Sequence, residues 1–266
     1  MGRRTHRRQR GARAVAAARA GRPGRTGIVL GLVIVLVLAV VVIGGALWVT
    51  AHKTAESSGP IPAVTSAPDG LAVSLDRDTA TAVVGRASAV TMDVYEDFLC
   101  PACQQFEQSY GKQMAAKLTS GAIQVRYHLV NLLDDRSDPP GYSLRAANAA
   151  LVAADVAPEK FLNFYRSLLT AQPKEGAQGY DTGQLVELGR RLGINDARFA
   201  EKIASGAYDR AIHDSLATAM ADPALQRPAV GGMSFGTPTV AVNGTVVDIG
   251  APDWLDQLTI DSQPVQ

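Results

Sequence analysis

Residues 95–103 read Tyr95-Glu96-Asp97-Phe98-Leu99-Cys100-Pro101-Ala102-Cys103 and contain the only two cysteines of the 266-residue chain. A disulfide closing so short a loop removes little entropy from the unfolded chain, so it would serve poorly as a structural staple. The spacing suits reversible chemistry instead, with one sulfur as attacking thiolate and the other as resolving thiol. Half of a zinc site is the competing reading. A closed zinc site needs four ligands, and His6, His52, His128 and His213 are not paired at ligand spacing. The pair is therefore read as a redox-active dithiol.

Working outward, Ala89–Tyr95 alternates as a strand should, and its mostly apolar character places it centrally, covered on both faces. Pro101 stands where a first-turn proline belongs, Phe106, Tyr110, Met114 and Leu118 recur at helical spacing, and Gly121 closes the helix. The same stripe is core, not a cofactor box. Residues 123–133 form a second strong strand, completing a β-α-β unit, and 71–75 with 81–84 read as short strands or a hairpin. A polar loop over 134–141 leads into helices over 143–154, 158–171, 182–192, 196–205 and 208–221, an insert of about 142–222. Residues 231–236 read as a loop. Strands over 238–243 and 245–249 then turn on Asn243-Gly244, a strong hairpin signal, and a last helix covers 252–258. This order gives Cys100 a place at or just before a helix N-terminus, where free N–H groups and the macrodipole favour a thiolate. Cys103, one turn further on, is expected to be buried and protonated.

The N-terminus says where the chemistry happens. Residues 1–27 carry nine arginines and no acid, and residues 28–49 run 22 positions without a charge. As a helix that run would measure roughly 33 Å, enough for a bilayer core of about 30 Å. The reading is a basic cytoplasmic tail over 1–27, a transmembrane helix over 28–50, and everything beyond it outside the cytoplasm. A cleavable signal peptide would have a shorter apolar region and a small-x-small site, which Trp48-Val49-Thr50-Ala51 does not offer. Residues 51–70, rich in Ser, Gly and Pro, read as a flexible linker to one domain over 71–266. The whole chain has 26 basic and 25 acidic residues; without the nine N-terminal arginines, residues 51–266 hold 17 against 25, a net −8. Nothing there favours nucleic acid.

The run at 95–103, a helical insertion and then Gly236-Thr237-Pro238-Thr239 together resemble the DsbA-like branch of the thioredoxin fold, over about residues 88–260. The resemblance is strongest to the membrane-anchored DsbA-like proteins of actinobacteria. It implies an α/β thioredoxin fold, with a central mixed sheet and a helical insertion, preceded by one transmembrane helix. It also implies that Cys100 is the nucleophile, that Cys103 resolves, and that Pro238 is cis and faces the disulfide, with Thr237 before it. On the residues alone a trans proline opening a strand reads equally well. Backbone groups of Gly236 and Thr237 would hold an extended substrate. The chain has Ala102 where the best-known members have histidine, which points to a less depressed thiol pKa and a weaker oxidant. It also lacks a second cysteine pair in the insert, so no structural disulfide is implied.

The function implied is a membrane-tethered thiol:disulfide oxidoreductase that introduces disulfides into exported cysteine-containing polypeptides. A membrane quinone-linked oxidase would reoxidise it, with no resident cofactor or metal. An isomerase or reductase of the same fold, such as one serving cytochrome maturation, is the alternative. Isomerases usually add a dimerisation domain, and electron-donating relatives usually carry Trp where this chain has Leu99. A non-catalytic binding module with a vestigial cysteine pair is the third class. Pro101, Ala102, Glu96 and Asp97 are candidates for tuning the thiols. Glu96 and Asp97 nevertheless read more naturally as solvated loop carboxylates than as proton shuttles. His128 and His213 read as surface or satisfied core residues, and the Asp134-Asp135/Asp138 loop lacks the glycine and closing glutamate of a calcium site.

Overall fold

A computed structural model describes residues 59–258, apart from 89, 230 and 252. The expected tail over 1–27, the span over 28–50 and the first part of the linker lie outside these residues. Among the described residues no helix is long and apolar enough to cross a membrane.

Strands β1 (Val73–Asp76) and β2 (Thr81–Val84) form a hairpin, and β3 (Thr91–Glu96) leads into helix α1 (Pro101–Ser120) and strand β4 (Gln124–Leu129). The insert contains α2 (Tyr142–Val156), α3 (Phe161–Thr170), α4 (Thr182–Arg191), α5 (Ala197–Ala204) and α6 (Asp209–Ala221). Strands β5 (Arg227–Ala229) and β6 (Gly232–Ser234), then β7 (Thr239–Val242) and β8 (Thr245–Val246), precede a final turn of helix, α7 (Trp254–Gln257). Six strands make one mixed sheet in the order β1-β2-β4-β3-β7-β8. β3 and β4 are parallel, with Val94 opposite Tyr127, and the other pairs are antiparallel. This is the mixed sheet with a helical insertion that the resemblance implies.

The alternation of β3 explains its place. Met92, Val94 and Glu96 point to the buried face, so the inward row runs one step past Val94 and ends on a carboxylate. Helix α1 begins at Pro101 after the extended Cys100 and ends at Gly121, whose φ of 76° lets its N–H and that of Ala122 reach back to the Leu118 and Lys117 carbonyls. Helix α2 is buried nearly all round. Ala146, Ala147, Ala149, Ala150, Ala153 and Ala154 keep it slim enough for the other insert helices to pack close.

Two expectations need correction. Residues 231–236 are not wholly a loop, because 232–234 pair with 227–229 in a separate two-stranded ribbon. Most of that ribbon is exposed, so it carries no apolar alternation to announce it. The described end of the expected linker, 59–70, does not hang free. Ile61 is 1 % exposed and its carbonyl accepts from Arg191 Nη1 at 2.8 Å. The Val64 and Ala67 N–H groups donate to Ser167 Oγ (2.8 Å) and Asn163 Oδ1 (3.0 Å) on α3. A composition poor in large side chains concealed a segment fastened through its backbone.

Candidate active site

The site is built where β3 passes into α1. Asp97 anchors that passage: its carboxylate accepts from Leu99 N (2.7 Å), Leu133 N (2.8 Å) and Ser143 Oγ (2.6 Å). It thereby ties the loop before the cysteines to the loop that follows β4 and to the start of α2. Burial pushes the Asp97 carboxyl up to about 6 against those hydrogen bonds. Glu96, at the end of the inward row of β3, is 1 % exposed. Tyr165 donates its hydroxyl to Glu96 Oε2, and Oε1 has no partner among the described residues. Burial holds this carboxyl well above its usual range. Both residues are thus buried, which corrects the reading of them as solvated loop carboxylates. β3 runs one residue past the end of its apolar run.

Cys100 occupies the N-cap of α1, with φ −79° and ψ 114°, and its carbonyl accepts from the Cys103 and Gln104 N–H groups. Both sulfurs are free thiols. Cys100 Sγ lies 3.3 Å from the Thr237 carbonyl oxygen, to which the thiol donates. The Cys100 pKa is lowered to about 6, chiefly by the hydrogen bond from the Cys103 thiol. Burial opposes this, and the Thr237 side chain and the N–H groups of Cys103 and Ala102 add to it. Cys103 is fully buried, and burial first, then Cys100 and the nearby Glu96, push its thiol well above the ordinary value. The two sulfurs are therefore unlike: one ready to ionise, one held protonated. Pro101 and Ala102 between them are exposed.

The Thr237–Pro238 bond is cis. Thr239 Oγ1 donates to the Gly236 carbonyl (2.5 Å) and Arg227 Nη1 to the Pro238 carbonyl (2.8 Å). The insert grips the other side: Gln172 Nε2 donates to the Cys100 carbonyl (3.0 Å) and Gln104 Nε2 to that of Leu169 (2.8 Å). Beside the cysteines opens a groove of about 380 Å³, lined by Ala102, Gln105, Phe106, Tyr110, Thr237, Pro238 and others. The structure thus brings Glu96, Cys100, Cys103, Thr237 and Pro238 together across 142 residues of chain. Tyr165, Gln172, Ser143 and Arg227 were not visible as site residues in the sequence, because none lies in a motif. His128 instead bonds Asp93 (2.7 Å) and Thr81 (3.2 Å), and His213 bonds Asn131 (3.2 Å). Among the described residues no three His, Cys, Asp or Glu side chains cluster as a metal ion would require.

The family profile described as "Thioredoxin" matches residues 78–259. The reduced form of the disulfide bond oxidoreductase DsbG from Mycobacterium tuberculosis is 33 % identical, covering 67 % of this chain and 80 % of that one at TM-score 0.56. Oxidised DsbA from the same organism is 30 % identical over 71 % and 91 % of the two chains, also at 0.56. MdbA, a thiol-disulfide oxidoreductase of Corynebacterium diphtheriae, shares the fold at TM-score 0.59 and 23 % identity, covering 72 % and 95 %. The serine/threonine-protein kinase PknE of Mycobacterium tuberculosis is 32 % identical over 173 residues, 63 % of this chain. The chain spans only 29 % of the length of that curated relative.

Proposed function

Since this chain belongs to the thioredoxin family, as a thiol:disulfide oxidoreductase of the DsbA-like kind, we propose that it oxidises cysteine pairs in exported polypeptides outside the cytoplasm, tethered by residues 28–50. The observation that carries this direction is the asymmetry of the two sulfurs. A Cys100 thiolate stabilised at the N-terminus of α1 is a good leaving group and favours the reduced enzyme. The disulfide form then tends to take electrons from others.

In the oxidised enzyme a substrate thiolate attacks Cys100 Sγ, and the Cys100–Cys103 bond breaks. The electron pair leaves on Cys103, which takes a proton as its raised pKa demands. A second substrate thiolate attacks the substrate sulfur of the mixed disulfide and expels the Cys100 thiolate. The substrate has lost two electrons and the enzyme holds them as a dithiol. A membrane quinone-linked oxidase collects them, by resemblance to the family. Thr237 and Gly236 offer backbone groups to an extended substrate beside the cis Pro238.

The test is the reduction potential of the Cys100–Cys103 couple against glutathione, measured across pH on the full-length chain. A value of about −120 to −180 mV supports an oxidase or an isomerase of this fold, and one near about −270 mV, like thioredoxin's, overturns the oxidase in favour of a reductase. The pH dependence has a fixed sign. Cys100 has its folded pKa lowered to about 6, so the reduced form gains stability as pH rises above that value and loses it as pH falls through it. The potential should accordingly drop by about 59 mV per pH unit below the Cys100 pKa and by about 30 mV above it.

A further inference from the structure

Among the described residues Arg227 is the one charged side chain that lines the groove beside the cysteines; Ala102, Gln105, Ser109, Thr237 and Pro238 around it carry none. Backbone, not a carboxylate, holds it there. Nη1 donates to the Pro238 carbonyl at 2.8 Å, and Nη2 covers Gly236, where a Cβ would stand 2.9 Å away. Among the described residues Arg227 makes no ion pair, and the Pro238 carbonyl is the one hydrogen-bond partner of its five-donor fork. A guanidinium fixed in this way has already lost much of its rotamer freedom and suits a planar carboxylate. Its positive charge also contrasts with the net −8 of residues 51–266.

We propose that Arg227 is an acidic-residue subsite. It binds the carboxylate of an Asp or Glu lying near the reactive cysteine of a polypeptide that extends along Gly236–Pro238. The inference rests on the reading that Cys100 exchanges with polypeptide thiols, and it adds a selectivity to that reading. Its second role is as a positioning residue, since the same guanidinium steadies the Pro238 carbonyl.

The test uses oxidised full-length protein and single-cysteine peptides carrying Asp or Asn at each of three positions on either side of the cysteine. Rates of mixed-disulfide formation are compared for the wild type, Arg227→Gln and Arg227→Lys. An aspartate raises the peptide's own thiol pKa, so the informative quantity is the Asp/Asn rate ratio of the wild type divided by that of Arg227→Gln. A looser Pro238 loop slows both peptides alike and cancels in this quotient. At one position at least, the quotient should reach about 3- to 10-fold at low salt, with Arg227→Lys keeping part of it. The wild-type Asp/Asn ratio should also fall as salt rises, a readout that needs no variant to fold. A quotient of one at every position, or a wild-type ratio flat in salt, overturns the subsite. If no peptide reacts with the wild type, the thiol-exchange reading itself fails, and the subsite with it.

Discussion

Two carboxylates stand a few residues upstream of Cys100, and burial treats them differently. Asp97 accepts three hydrogen bonds, so its pKa rises only to about 6. Among the described residues Glu96 has one donor, Tyr165, and its Oε1 has no partner, so burial holds its carboxyl well above the usual range. The folded protein therefore holds a proton that the unfolded chain releases near its ordinary pKa of 4.5. The stability contributed this way is present below that pKa and is lost as pH rises. Glu96→Gln keeps an acceptor for Tyr165 and removes the titration. Relative to the wild type, the variant should gain stability from pH 5 to pH 8, with a limiting slope of about 1.4 kcal/mol per unit. Urea midpoints at the two pH values measure this, and an unchanged difference would mean that Glu96 is already ionised in the folded protein.

The β7–β8 hairpin is the element that presents the Thr237–Pro238 segment to Cys100. Its turn places Asn243 and Gly244 at φ 49° and 83°, the left-handed region that Asn and Gly tolerate best. Asn243 also closes on β3: its N–H donates to the Thr91 carbonyl (2.9 Å), and its Oδ1 accepts from Thr91 N (3.0 Å). Asn243→Ala loses the side-chain bond and strains the turn, which should cost about 1–2 kcal/mol. Asn243→Gly loses the bond alone and should cost less. Chemical denaturation of both variants separates the two contributions; equal losses would assign the whole effect to the Thr91 contact.

At the scale of the whole molecule, the segment before β1 behaves as part of the domain. Ile61 is buried, and the backbone around it is bonded to α3 and α4, on the insert rather than on the sheet. The insert in turn holds the cysteine helix through Gln172 and Gln104. Ile61→Ala should therefore lower stability by about 2–4 kcal/mol, as expected for a truncation in a filled core. A loss below about 0.5 kcal/mol, read from the urea midpoint, would return residues 59–70 to the status of a free tether.

The sequence by itself determined the cysteine pair and its helix, the parallel β3-α1-β4 unit, the span of the insert and the Asn243-Gly244 turn. Each rests on a local signal: a spacing, a period, a capping glycine or a left-handed dipeptide. The tertiary structure alone decided what those signals enclose. Burial depends on neighbours, so only packing could show Glu96 and Asp97 as interior carboxylates and make Cys100 and Cys103 unlike. Arg227, Tyr165 and Gln172 reach the site from distant segments through single hydrogen bonds, which leave no period or motif in the chain. The anchoring of residues 59–70 escaped notice for the same reason: backbone donors and acceptors are common to every residue, and only the fold determines which of them find partners.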